Sequence, residues 1–378
     1  MFSESLYKNS MYLIISSASM ALFGFIFWSI AARMFPSEQV GLATAVISAI
    51  TLISSLSLLG FNVSILKYKD KVLGFNALLI SSIVSLLLSI GFLIFVNSEL
   101  AFLSSNWVYI ISFIVFCLFN TVYSLLGTIL ISQEKQLIVL VKDVLFSVVK
   151  VTFVLLLSGL MGLLWSWFFG IFLALVLSFF FISLEFKFDL GSLKKTFSFT
   201  FYNYLSSLLG VFPALILPLI IINYLSPSYS AYFYVAWMIA NLLFIVPSSV
   251  GTNLLASGDL TKLKKSMLFT SLLLVVGIII VFFMGSFILN LFNPEYIVGL
   301  SLLYILAISS IPYGVRTLYN SYLNVLGFYK RVMFWNFVVL LITVVGTVSF
   351  IFTYGLIAIG YSWLLGNVVG AVGVWYGS

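Results

Sequence analysis

The sequence predicts an all-α polytopic membrane protein of about twelve transmembrane helices, in two six-helix lobes related by a pseudo-two-fold along the membrane normal. Three observations predict it. Of 378 residues, 63% are hydrophobic and 7% charged, where soluble domains carry roughly 25% charged residues. Apolar runs long enough to cross a hydrocarbon core of about 30 Å follow one another along the chain. The chain also repeats itself.

The repeat is read from two motifs. Pro36, Gly60 and Asn62 return as Pro227, Gly251 and Asn253, each 191 positions later. Gly159, Trp165-Ser166-Trp167 and Gly170 return as Gly355, Tyr361-Ser362-Trp363 and Gly366, each 196 positions later. Two sparse motifs in the same order and spacing point to a duplicated chain. The expected lobes are residues 1–188 and 189–378, divided in the polar connection Glu185–Phe197.

Twelve helices follow from apolar run length, at roughly 10–32, 41–65, 72–96, 107–131, 138–158, 161–184, 199–224, 230–256, 266–290, 297–325, 332–353 and 356–376. The first, Met11–Ala32, is too long for a signal-peptide core and reads as a membrane helix. The second runs from the Pro36-Ser37-Glu38 turn to Asn62-Val63-Ser64-Ile65. Lysines 67, 69 and 71 separate it from the third, and Asn97–Asn106 closes the third. The fourth and fifth meet at Gln133-Glu134-Lys135, and Gly159 parts the fifth from the sixth. The seventh holds Pro213 and Pro218, and the eighth begins after Ser226-Pro227-Ser228. The ninth follows Lys262, Lys264 and Lys265, and Asn293-Pro294-Glu295 ends it. The tenth contains Pro312, Lys330-Arg331 opens the eleventh, and Gly355 starts the twelfth. Six helices per copy is an even number, so both copies enter from one side as parallel repeats.

Lysine and arginine set the orientation. The N-terminus and even-numbered loops hold fourteen of them, Lys142 included, and the odd-numbered loops hold Arg33 alone. The positive-inside rule then places both termini in the cytoplasm of a cell membrane protein. The formal net charge of +7 lies in these short loops and not in a nucleic-acid-binding face. Histidine is absent and Cys117 is the one cysteine. No disulfide, no Cys/His metal site and no cofactor is expected.

Charges inside a span are functional candidates. Lys150 lies about 18 Å into the fifth helix, with Asp143 about 10 Å away along the same face, too far for an ion pair. Lys150 is either a cavity cation awaiting an anionic ligand or a lysine whose head snorkels to the surface. Arg316, four residues after Pro312, either binds phosphate bidentately or satisfies carbonyls freed by the kink. Arg33 sits near the outer surface, as a headgroup contact or a cavity residue. Lys142 reads as a solvated charge at the inner mouth. Pro213, Pro218 and Pro312 are candidate gate kinks. Asn120, Asn203, Asn320 and Asn324 are candidates to hydrogen-bond a polar ligand, while Asn62 and Asn253 suit interhelical hydrogen bonds. No deep carboxylate is expected; Asp143 is the nearest and lies close to the inner boundary.

The segments "AAR", "FPSEQVG" and "LLGFNVSIL" near the N-terminus, and "YGLIAIGYSWLLG" at 354–366, resemble the polysaccharide-biosynthesis transporters. These are lipid-linked oligosaccharide flippases of the multidrug/oligosaccharidyl-lipid/polysaccharide exporter (MOP) superfamily. The segment 127–157, with a basic residue inside the fifth helix, is similar as well. The resemblance covers essentially the whole chain. It implies two lobes in a V that open alternately to either side. It implies translocation of an anionic polyprenyl-diphosphate-linked oligosaccharide from inner to outer leaflet. The lipid bilayer and that glycan are the implied partners, with polysaccharide polymerase and glycosyltransferases beside them. The competing readings are a multidrug antiporter on the same fold and a membrane glycosyl- or acyltransferase. The charged residues, basic where an antiporter needs acidic groups, favour the flippase.

Overall fold

The computed structural model describes residues 4–96, 98–257, 261 and 263–376, with side chains described except at 4–8, 10, 98, 190–203, 206–207 and 256–257. Twelve long helices run through it: α1 (Glu4–Met34), α2 (Ser37–Ser57), α3 (Lys71–Ile94), α4 (Trp107–Ser132), α5 (Gln136–Leu156), α6 (Gly159–Phe181), α7 (Leu190–Tyr224), α8 (Pro227–Ser257), α9 (Leu263–Phe292), α10 (Leu300–Val325), α11 (Tyr329–Tyr354) and α12 (Leu356–Trp375). No strand occurs among the described residues, as lipid requires of any span that is not a closed barrel.

Ten of these helices are long and apolar enough to cross a membrane. The other two are α5, which carries Lys142, Asp143 and Lys150, and α7, whose apolar part in the described residues is Leu208–Tyr224. Local signals set the ends. The Asp70 carboxylate accepts from the Val72 amide at 2.9 Å at the start of α3, and the Asn106 side chain accepts from the Val108 amide at 3.1 Å at the start of α4. Each satisfies an amide that the first helical turn leaves without a partner. Asn293 caps the short 3-10 turn Pro294–Gly299 that leads into α10.

Three boundaries differ most from expectation. Helix α1 begins at Glu4 and not near 10, and α7 at Leu190 and not near 199. The second helix does not run on to residue 65. It stops at Ser57, and a short helix, Phe61–Tyr68, follows. Leu59 and Gly60 both lie in the left-handed region, at φ 47° and 81°, and no right-handed helix passes through such residues. Its repeat partner Gly251 stays inside the continuous helix α8.

The chain divides into two compact units, Met1–Leu208 and Leu209–Ser378. The division falls inside α7, beyond the extended connection that holds residue 188. The first unit packs around α2, whose small residues Ala43, Ala45, Ser48 and Ala49 are buried and let neighbouring helices approach closely. Phe61, Leu125, Phe146 and Ile171 join in a core cluster of that unit.

The same pairs of helices pack in both units. The second, third and fourth helices of each pack on one another, and so do the fourth, fifth and sixth. The contact of α1 with α5 has a counterpart in the ring contact of Tyr224 on α7 with Phe352 on α11, 5.3 Å between centroids. A glycine of the sixth helix abuts the fifth in each unit. A Cβ on Gly170 would lie 2.7 Å from the Phe146 carbonyl oxygen, and one on Gly366 would lie 3.1 Å from that of Val339. These repeat partners share one use, which is to let two helices meet at backbone distance.

Candidate functional site

Helix α5 carries its charges on its buried face. Val139, Lys142, Phe146, Lys150 and Val154 are buried, spaced by three or four residues and so on one stripe. Leu137, Val141, Val148 and Leu155 are exposed. This is the amphipathic pattern of a soluble helix inverted, with apolar residues outward, as lipid demands.

Lys150 is 2% exposed. Its ammonium rests on three rings, 5.1 Å from the centroid of Phe27, 4.6 Å from Phe146 and 4.3 Å from Trp167. Phe27 comes from α1, Phe146 from α5 and Trp167 from α6, with Trp28 packed against Phe27 and Trp167. No carboxylate or hydrogen-bond acceptor meets this ammonium among the described residues. It does not snorkel. The ring faces attract a cation by about 0.5–2 kcal/mol each, against a burial penalty of several kcal/mol for an ion, so the cation stays underpaired.

Lys142 corrects the expectation of a solvated charge. It is 3% exposed and pairs with Asp143 at 2.9 Å. Its ammonium also sits 3.4 Å from the centroid of the Tyr123 ring. A Cβ on Gly127 would lie 3.2 Å from that ammonium, so the glycine leaves it room. The Asp143 carboxylate, 14% exposed, accepts further bonds from the Tyr123 hydroxyl at 2.6 Å and the Ser16 hydroxyl at 2.5 Å. Asp143, two turns into α5, is thus partly buried and engaged by three donors. The network ties α1, α4 and α5 together.

The second unit builds a different cluster. Tyr313, Arg316 and Asn320 lie on one face of α10, spaced by three and four residues. Arg316, 7% exposed, donates from Nε to Asn367 Oδ1 on α12 at 3.0 Å and from Nη1 to Asn336 Oδ1 on α11 at 2.5 Å. Asn320 Nδ2 donates to the same Asn336 oxygen at 3.1 Å. Asn367 Nδ2 donates to the Trp363 carbonyl at 2.8 Å. The guanidinium carbon lies 5.4 Å from the Tyr313 ring centroid, and Trp363 packs on Tyr313, Phe244 and Trp237. Arg316 thus binds side-chain amides in place of the carbonyls expected beside Pro312. Gly370 makes room for its stem, since a Cβ there would lie 2.8 Å from Arg316 Cδ.

The remaining candidates stand apart from both clusters. Asn120 is half-buried on α4, and Asn324 is half-buried at the end of α10. Arg33 is exposed at the end of α1. The Asn203 side chain lies outside the described residues. Asn62 is half-buried and Asn253 exposed, and neither makes the interhelical bond expected of it among the described residues. Pro213 and Pro218 are buried inside α7, and Pro312 lies inside α10. A fourth internal proline, Pro247 in α8, escaped the sequence reading. It packs near Gly314, whose added Cβ would sit 3.5 Å from Pro247 Cβ, so two loosened helix segments adjoin.

Sequence reading also missed Ser16, Tyr123, Asn336 and Asn367. Their one signal was polarity within apolar runs. A third repeat pairs the clusters: Asn120-Thr121-Val122-Tyr123 returns 196 positions later as Arg316-Thr317-Leu318-Tyr319. At the same offset Lys150 corresponds to Gly346, where a Cβ would lie 2.7 Å from Ser362 Oγ. The second unit has no room for a lysine there, and each unit carries its cation on a different helix.

Among solved structures, the chain is similar to an inward-facing multidrug resistance MATE family transporter of the MOP superfamily, at 16% identity and TM-score 0.71, covering 96% of this chain and 97% of that one. It is also similar to an outward-facing structure of such a transporter, at 13% identity and TM-score 0.61, covering 99% and 94%. A third is a MOP superfamily transporter from Pyrococcus furiosus whose binding pocket is described as reversed in polarity, at 16% identity and TM-score 0.62, covering 99% and 94%. At these identities the likeness is one of fold. No curated protein matches the chain. The family model for polysaccharide biosynthesis proteins matches residues 6–255, about two thirds of the sequence. The chain is a multi-pass membrane protein with the fold of the MOP transporters, and it belongs to the polysaccharide biosynthesis protein family.

Proposed function

We propose that this transporter moves an anionic polyprenyl-diphosphate-linked oligosaccharide from the inner to the outer leaflet by alternating access, for assembly of a cell-surface polysaccharide. The observation that carries this reading is Lys150. A buried ammonium that touches only ring faces lacks an anion, and a diphosphate supplies one. The family supports a polysaccharide precursor as the cargo. The distribution of Lys and Arg supports a cytoplasmic location for both termini. Polysaccharide polymerase and glycosyltransferases are the partners such a cargo would require. Prolines 213, 218, 247 and 312 are the positions where helices would bend during the cycle.

The test uses purified protein in vesicles and a fluorescent polyprenyl-diphosphate saccharide, read by quenching from one side. Lys150→Ala is expected to abolish translocation while expression and folding stay normal, and Lys150→Arg to keep part of it. Translocation by Lys150→Ala at the wild-type rate overturns the role of Lys150, and no translocation by wild type overturns the function. A second reading, a multidrug antiporter, draws on the Asp143 carboxylate, a group able to carry a coupling proton, and on the MATE neighbours. Efflux of a cationic dye driven by a pH gradient and lost in Asp143→Asn would favour it.

A further inference from the structure

The Arg316 cluster does not resemble an anion clamp. Its guanidinium already faces two amide oxygens, Asn367 Oδ1 and Asn336 Oδ1. The orientation of Asn320 follows from these bonds alone. Arginine only donates, so Asn336 must present its oxygen to Arg316. Asn320 reaches that same oxygen and must therefore present its own nitrogen. Its oxygen, Asn320 Oδ1, is then left buried without a hydrogen-bond partner. A donor is orphaned on the neighbouring helix α12: the Trp363 indole nitrogen is buried without a partner, and the carbonyl of that residue receives Asn367. Each such group costs about 1–3 kcal/mol when left unmade, and two of the ten found among the described residues belong to Asn320 and Trp363.

The set of unused groups identifies the ligand. An acceptor, an indole donor and the remaining guanidinium hydrogens are all satisfied by hydroxyls, which both give and take a hydrogen bond. A phosphate takes only the donors, and it meets three amide oxygens that repel it. Tyr313 and Trp363, stacked at 6.2 Å, are rings of the kind that cover the C–H face of a sugar. Lys150 presents the opposite chemistry, a cation with no acceptor beside it. We infer that the Arg316–Asn336–Asn320 cluster is a hydroxyl-reading site for a sugar of the transported glycan, and that Arg316 orients amides there instead of holding the diphosphate. This inference rests on the carbohydrate cargo proposed above.

The test separates the two chemistries on purified protein in neutral-lipid nanodiscs. One probe is a panel of neutral methyl glycosides at millimolar concentration, read by saturation-transfer NMR. The other is inorganic pyrophosphate, read by its phosphorus linewidth. Wild type is expected to bind at least one glycoside, and pyrophosphate is expected not to displace it. Asn320→Leu should weaken glycoside binding by about tenfold, the worth of one hydrogen bond, while Asn320→Gln, which keeps both the amide donor and the acceptor, retains part of it. Pyrophosphate binding should ignore both changes and respond to Lys150→Ala. Displacement of the glycoside by pyrophosphate in the wild type overturns the inference without any variant. So does the absence of glycoside binding, which would assign the orphaned atoms to ordered water only. Glycoside binding without translocation overturns the flippase and leaves this site standing, and translocation without glycoside binding does the reverse.

Discussion

Removing the Asp143 carboxylate is the most informative structural perturbation in the first unit. Three donors converge on it: Lys142 at 2.9 Å, Tyr123 at 2.6 Å and Ser16 at 2.5 Å. In Asp143→Ala the Lys142 ammonium, 3% exposed, keeps only the face of Tyr123. Breaking a buried pair from one side costs about 3–5 kcal/mol, since the remaining charge is uncompensated. Lys142→Met is a different case. The carboxylate keeps two hydroxyl donors, so the expected loss is nearer that of one charge-assisted hydrogen bond, about 1.5–3 kcal/mol. In the double variant Lys142→Met/Asp143→Ala no charge is stranded, and stability should recover above Asp143→Ala. The assay is unfolding by sodium dodecyl sulfate in mixed micelles, followed by circular dichroism, with a double-mutant cycle to extract the coupling. The expected order of stability is wild type, Lys142→Met, double variant, then Asp143→Ala. Equal losses in the two single variants with no coupling would refute the account, because they would mean the charges are solvated after all.

Two further outcomes follow from local geometry. Gly370→Ala drives a Cβ to 2.5 Å from Val339 Cγ2 and 2.8 Å from Arg316 Cδ, so it should destabilise by about 1–3 kcal/mol and reduce glycoside binding; a wild-type melting curve would count against the close packing of α12 on α10. Gly60→Val forces a β-branched residue into the left-handed region at φ 81° and should cost about 1–2 kcal/mol in the same unfolding titration, whereas an unchanged midpoint would mean the break between α2 and the Phe61–Tyr68 helix is not maintained.

Lipid is the reason so much of the architecture was legible. A bilayer asks each span for about 20 apolar residues, so helix number and approximate ends could be counted from the sequence. The early end at Ser57 came from Leu59, because nothing in a leucine's side chain announces a positive φ. Glycines at repeat spacing suggested a duplication, and the structure puts Gly170 and Gly366 to the same use.

The charged sites were legible only as far as one helix reaches. Rise and rotation along α5 suffice to separate Lys150 from Asp143. They say nothing about partners on other helices. Asp143 meets Ser16 from 127 positions away, and Arg316 meets Asn367 from 51 positions away. Lys142 looked like any basic residue near a helix end until α4 and α1 enclosed it. The sequence by itself singled out Lys150 and Arg316, because an apolar run makes a cation conspicuous. Only the tertiary structure decided that one is paired, one is held by amides and one is left on three aromatic faces, because those differences arise from side chains that packing brings together across distant helices.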